Sequence, residues 1–222
     1  MDMIMMDSFL TNTMLFRGTN AEEAKAMLQC LGGYKKHYRK GDAILRAGEC
    51  VSSMGLILSG SANIEIDDVW GNKTILAHAE AGQMFAETYA FLPGEPLMAS
   101  VIACESSDVL FLNAARVLTT CPQSCAHHNR LIRNLLQILA QNNLALSLRS
   151  LHTSSKTIRG RLLSYLSEQA KRSGSYRFTI PFNRQQLADY LGVDRSAMSG
   201  ELGKMQREGI LTCHRSSFEL KA

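Results

Sequence analysis

Hydrophobic and polar positions change rhythm halfway along the chain. In the first half they alternate in short runs. Ser61, Asn63 and Glu65 alternate with Ala62, Ile64 and Ile66, the period of a strand with one face in a core. Gly71-Asn72 then marks a turn between two strand-like runs. Lys40–Glu49 carries a short apolar run between Gly-Asp and Gly-Glu, which predicts a strand between tight turns. Glycines at 41, 48, 55, 60, 71 and 82 recur at the spacing of short strands in a sandwich or roll. Ahead of these runs, Ala21–Leu31 reads as a helix.

The second half has a helical period. Ser124–His152 contains neither Pro nor Gly over 29 residues. Leu131, Leu135, Ile138, Asn142 and Ala145 recur every three or four positions, and Ile132, Leu139 and Leu146 widen the stripe. Most globular helices run roughly 8–20 residues, so this length and stripe predict a helix that pairs with a second copy of itself. Leu131, Leu135, Ile138, Leu139, Asn142 and Leu146 are the candidate dimer residues, with Asn142 as a polar register mark. The plainer alternative is that the stripe packs on its own domain.

Further on, Ser154 or Ser155 can cap a helix whose apolar face is Ile158, Leu162, Leu163, Tyr165 and Leu166, and Ser173-Gly174-Ser175 ends it. Tyr176–Phe182 is extended, and Pro181 keeps the chain from turning helical too early. Asn183 caps a helix from Arg184 to Leu191 with Leu187, Ala188 and Leu191 inside. Gly192 allows the bend, and Asp194 caps a second helix from Arg195 to Arg207 with Met198, Leu202 and Met205 inside. This is a helix-turn-helix pattern, and "GILTCHRSSFELKA" supplies strand, turn and strand as a wing. Arg195, Ser196, Ser199 and Gly200 fall on the outer, N-terminal face of the second helix, the part that enters a major groove. Arg184, Gln185 and Arg215 are candidate phosphate contacts.

Charge sharpens this reading. The net charge of +4 hides −6 over residues 1–110 and +10 over residues 111–222, so one half is suited to a polyanion. The chain carries no apolar run near the roughly 20 residues needed to span a bilayer. Asp2 and Asp7 stand where a signal peptide carries Lys or Arg, so a cytoplasmic protein is expected. The six scattered cysteines are then reduced thiols rather than a disulfide framework.

With these residues in view, the sequence resembles the Crp/Fnr family of bacterial transcription regulators over nearly its whole length. "KGDAILRAGE" and "GLILSGSANI" are similar to the β-roll signatures, and "GQMFAE" to the entry of the small-ligand cassette. The long helix is similar to the family's dimer helix, and "RQQLADYLGVDRSAMSGELGKMQREGIL" to its winged helix-turn-helix. The resemblance implies an α+β chain with three parts. Residues 1–120 form a β-roll (jelly-roll-like) effector domain, 121–152 a long dimerisation helix, and 153–222 a winged helix-turn-helix. It implies a homodimer on a double-stranded DNA operator, answering to a small effector, with RNA polymerase as a further candidate partner and no membrane. It also implies no enzyme activity and no cofactor. Phe85, Glu87, Thr88, Leu97 and Met98 become the candidate effector pocket, with Glu87 also readable as the cap of a short helix near Thr88–Leu92. Cyclic-nucleotide binders of the family carry an Arg and a small hydroxyl residue where Leu97 and Met98 stand here. A cyclic phosphate there lacks a cation, so cyclic AMP is not the expected effector. The first cysteine is Cys30, alone, so an Fnr-type iron–sulfur cluster is not expected. Gly200 occupies a position where many members carry an Arg, which leaves more of the base reading to Arg195.

Two rival readings remain open at this level. Cys121, Cys125 and His128 are candidate ligands for a metal, or a redox sensor, at the start of the long helix. Their spacing matches no standard zinc signature and fits equally a set of small residues buried at a domain junction. A cupin-like metal enzyme would have to draw on His37 and His78, without the paired His-x-His of that chemistry.

Overall fold

The computed structural model describes residues 9–67, 70, 73–118 and 126–221. They fall into two units, Met1–Leu139 and Ala140–Ala222. No helix among the described residues is long and apolar enough to cross a membrane.

The first unit is built on two four-stranded antiparallel sheets. Its strands are β1 (Tyr34–Tyr38), β2 (Ala43–Leu45), β3 (Ser53–Ser59), β4 (Ser61–Asp67), β5 (Lys73–Glu80), β6 (Met84–Phe85), β7 (Ser100–Ala103) and β8 (Ser107–Asn113). One sheet has the order β1-β8-β3-β6 and the other β2-β7-β4-β5. The alternation read in 61–66 is the strand β4, paired with β5 and β7. The Gly71-Asn72 turn lies outside the described residues.

Strands β3 and β8 are buried on both faces, and alternation sorts their side chains into two cores. Ile57, Val109 and Phe111 join Ile44, Ala62, Phe85 and Val101 between the sheets. Met54, Leu56, Leu58, Leu110 and Leu112 point the other way, into a core closed by helical segments. A close approach fixes the inner core. Gly55 pairs with Phe85 across β3 and β6, and a Cβ at Gly55 would lie 2.1 Å from the Phe85 ring.

The outer core is closed by Leu10, Leu15 and Phe16, by α1 (Ala21–Cys30), and by the start of the long helix. Helix α1 opens on a capping box: Asn20 Oδ1 accepts from Glu23 N and Glu23 accepts from Asn20 N. Two short helices, α2 (Glu87–Ala90) and α3 (Ala114–Leu118), follow β6 and β8. The cap position of α2 is Ala86, at a left-handed φ of 60°, so Glu87 is the first helical residue rather than the cap.

The long helix, α4, is described over Ala126–Thr153. It contributes its first half to the first unit and its second half to the other. Asn134 donates to the carbonyls of Leu15 and Arg17, and Arg130 donates to that of Gly18. Leu131 and Leu135, expected in a dimer seam, are instead buried in the domain's own outer core, with Ile132, Ile138 and Leu139 packed beside them. The sequence period located the apolar stripe but not which body covers it.

The second unit begins, after α4, with α5 (Ile158–Ser173). Its cap is Thr157, whose Oγ1 accepts from Gly160 N, rather than Ser154 or Ser155. Then come β9 (Arg177–Thr179), α6 (Arg184–Leu191), α7 (Arg195–Arg207), β10 (Leu211–His214) and β11 (Ser217–Leu220). The three strands form an antiparallel sheet in the order β10-β11-β9. Leu162, Leu166, Leu187, Leu191, Met198, Leu202 and Met205 form one core with Phe218 of the sheet.

Gly55→Ala is expected to destabilise the first unit by about 1–3 kcal/mol, because the added methyl has to displace the buried Phe85 ring. Urea unfolding compared with wild type checks it; an unchanged midpoint would show that Phe85 swings away freely.

Candidate nucleic-acid interface

Both helices of the pair start and stop where local chemistry directs. Asn183 and Gln186 form a capping box at α6, and Asp194 accepts from Ala197 N at the start of α7. Between them Gly192 takes a φ of 63°, which only glycine adopts at little cost. The carbonyls that end α6 point beyond the helix, Asp189 O accepting also from Gly192 N, and two arginines collect them in sequence. Arg149 of α4 donates to the carbonyls of Asp189 and Tyr190, and Arg161 of α5 to those of Leu191 and Gly192. Cations at a helix C-terminus also complement its dipole. Arg159 fixes the second helix. It donates to Glu201 at 2.6 Å and in a two-pronged contact to Glu208 at 2.7 and 2.8 Å. These bonds raise the Arg159 guanidinium above its usual range and hold the Glu208 carboxyl below its own.

With Met198, Leu202 and Met205 turned into the core, Arg195, Ser196, Ser199 and Gly200 are all exposed on the first two turns of α7. Ser199 Oγ donates to the Arg195 carbonyl, 2.9 Å away. Apart from its chain neighbours and the backbone of its own helix, nothing lies within 4 Å of where a Gly200 Cβ would stand. Arg215 is exposed at the turn of the wing, between β10 and β11, at φ 52°. Arg184 differs from expectation. Its guanidinium sits 5.1 Å over the Phe218 ring, and Nη2 lies 3.1 Å from Cys213 Sγ. The negative π face of the Phe218 ring draws the flat cation inward. Gln185 donates to Asp189 on its own helix. Arg149, Arg159 and Arg161, which position the pair, escaped sequence reading. Their partners are backbone carbonyls and distant carboxylates, which no local pattern reveals.

Behind α6 lies an aromatic group. Tyr165, Phe182 and Tyr190 have ring centroids 5.1–6.1 Å apart. His152 is 1% exposed, and its Nδ1 lies 2.9 Å from Tyr190 Oη. Burial pushes His152 below the usual histidine range, against the pull of Glu168, and raises both Tyr165 and Tyr190.

The five effector-pocket candidates differ in burial. Phe85 and Leu97 are buried core residues, Thr88 and Met98 are exposed, and Glu87 is half-buried. Phe85 packs edge-on to Phe111 at 6.4 Å in the core between the sheets. Cys121 and Cys125 lie outside the described residues. His128 is buried, and its Nε2 lies 2.6 Å from the Val117 carbonyl, which gives it a structural bond. His37 and His78 sit in different sheets, against Asp108 and Asn63.

A β-roll followed by a winged helix-turn-helix defines a DNA-binding transcription regulator. Residues 35–124 match the family model of the cyclic nucleotide-binding domain, and 160–221 that of the Crp-like helix-turn-helix domain. The fold is similar to that of the Thermus thermophilus catabolite activator protein (24% identity, 94% of each chain, TM-score 0.52). It is also similar to CLP, the c-di-GMP responsive global regulator of Xanthomonas campestris (16%, 91% of this chain and 100% of that one, 0.55). A third likeness is to CprK in complex with OCPA (18%, 90% and 91%, 0.59). No curated protein sequence matches the chain. With both domain models in their expected order, the chain belongs to the Crp/Fnr family, whose members are transcription regulators and not enzymes.

The His152 environment has a pH consequence. A histidine held below its usual value favours its neutral form when folded. Its stabilisation is fully present above about pH 6.5 and is lost as pH falls toward the folded value. Wild type is therefore expected to lose more stability than His152→Gln between about pH 8 and about pH 5. Thermal unfolding at both pH values checks this; parallel losses would refute it.

Proposed function

We propose that the protein acts as a homodimer that reads a two-fold symmetric DNA operator through Arg195, Ser196, Ser199 and the open surface at Gly200. The observation that carries this is the division of α7. Its three buried residues anchor it, and the opposite N-terminal face bears Arg195 with no bulky neighbour beside it. Arg195 supplies the bidentate fork that suits guanine, and Arg215 at the wing reaches phosphate. Arg184, turned onto Phe218, is left out of the phosphate set.

The dimer seam in this reading differs from the stripe expected at first. Leu136, Ala140, Asn143 and Ser147 recur at spacings of four and three along α4, with Leu144 beside them, and all are exposed. Leu136 and Leu144 are each 60% exposed. Asn143 takes over the polar register role first given to Asn142.

The effector acts in the β-roll and is not cyclic AMP. Leu97 and Met98 offer no charge to a cyclic phosphate, whose desolvation would be uncompensated. Of the similar regulators named above, one is c-di-GMP responsive and another is complexed with OCPA, which supports looking beyond cyclic AMP.

Selection from a random duplex pool is expected to return two-fold symmetric sites whose half-sites are centred about one helical turn apart. On that site Arg195→Ala is expected to cost about 1–3 kcal/mol; undiminished affinity would overturn the assignment. In sedimentation, wild type is expected as a dimer and the double variant Leu136→Glu, Leu144→Glu as a monomer with native circular dichroism. A double variant that still dimerises would move the seam elsewhere.

A further inference from the structure

We propose that Ser106 is a nucleophile, activated by His37 and Asp108, that takes an acyl group from an activated ester or thioester. The pairing of β1 with β8 builds the constellation. His37 stands directly opposite Asp108 in that register, and Ser106, two residues before Asp108, comes to the same side. Asp108 Oδ1 lies 2.9 Å from His37 Nδ1, and Ser106 Oγ lies 3.5 Å from His37 Nε2. Acid, base and hydroxyl thus stand in line, the arrangement that activates a serine whatever the fold around it. The longer of the two distances is that of a nucleophile and base before a substrate draws them together.

The state of each partner is set by its neighbours. Lys35 Nζ lies 2.8 Å from Asp108 Oδ2, which leaves Oδ1 to His37. Against the effect of burial, the bonds from Lys35 and then His37 hold the Asp108 carboxyl below its usual range. An ionised carboxylate only accepts, so His37 carries a proton on Nδ1. Neutral His37 therefore offers the lone pair of Nε2 to the Ser106 proton. The loop that presents Ser106 is held firmly. Ser107 beside it is wholly buried, and its Oγ lies 3.2 Å from both Ser61 N and Ser61 O and 2.9 Å from Glu105 O. Ser61 Oγ donates to the Glu105 carboxylate at 2.9 Å. Gly60, at φ 79°, lets the neighbouring turn close on the loop: a Cβ there would lie 2.6 Å from Ser106 O. Ser106 and His37 themselves are exposed, so a reagent reaches both. A hydroxyl held beside its base needs little further ordering before it reacts.

A carbonyl suits this set, because a nucleophile and its base are what acyl transfer requires. Ser106 Oγ attacks the acyl carbon as its proton passes to His37 Nε2. The bond from that carbon to the leaving oxygen or sulfur then breaks, and the leaving group takes the proton from Nε2. The acyl group stays on Ser106 as an ester, so the step modifies the regulator and is not a turnover. No residue of the second unit takes part, so the proposal stands or falls independently of the operator reading above.

The test treats the full chain with p-nitrophenyl acetate and, separately, with an acetyl thioester, and follows each serine by peptide mass spectrometry. A positioned base contributes about 10²–10⁴-fold, and an exposed site stands at the low end. Ser106 is expected to be acetylated at least about tenfold faster than any other serine by one donor or both. The His37 side chain is 58% exposed, so His37→Gln is expected to fold with unchanged circular dichroism and to remove that advantage. Asp108 acts through His37 as a positioning residue. Asp108→Asn is expected to slow the acetylation of Ser106 about tenfold and to shift the nitrogen-15 resonances of His37, which report its tautomer. Acetylation of Ser106 no faster than of other serines with both donors, or an unchanged rate in His37→Gln, would overturn the proposal and leave a surface hydrogen-bond network. An unchanged rate and unchanged resonances in Asp108→Asn would strike Asp108 from the set.

Discussion

Four successive carbonyls, from Asp189 to Gly192, set the geometry on which the reading head depends. The end of a helix exposes acceptors that water normally satisfies. Here two guanidinium groups, Arg149 and Arg161, take them in turn. They come from two different helices, α4 and α5, so the bend at Gly192 is tied to both. Charged donors make stronger hydrogen bonds than neutral ones, which suits a junction that must hold its angle. Arg159 repeats the device on α7 with carboxylates as acceptors. The cores of the pair are small, and these three arginines supply the orientation that apolar packing alone leaves loose.

A second constraint acts on α4. A helix this long cannot hide its apolar stripe in one small domain. The outer core takes Leu131 and Leu135, and beyond them Leu144, Leu146 and Leu151 are exposed. The side chains that the sequence pattern placed together thus belong to different environments. The free face is rotated from the buried one, which is why the proposed seam runs through Leu136 and Asn143 rather than Leu131 and Leu135.

Much of the architecture was legible in the sequence because it rests on local rules. Asn183, Gly192 and Asp194 state the helix pair outright, and each takes the expected cap or bend. The alternation in 61–66 likewise gave its strand. What stayed hidden depends on distance in space. Nothing near Phe85 in sequence announces that its ring rests on Gly55, or that Leu97 is core while Met98 beside it is exposed. Arg184 looked like a phosphate arm because it opens a helix, and only the nearby Phe218 ring explains its turn inward. His152 read as the end of a helix, and its burial among tyrosines comes from chain segments up to 38 residues away.

The contact between Gly55 and Phe85 also limits how this sequence can drift. A side chain at 55 is blocked while the ring remains, and removal of the ring alone leaves a void at the centre of the roll. Either change is disfavoured singly, but a larger residue at 55 beside a smaller one at 85 refills the same volume. The two positions are therefore expected to covary among relatives, as a pair locked by shape across neighbouring strands.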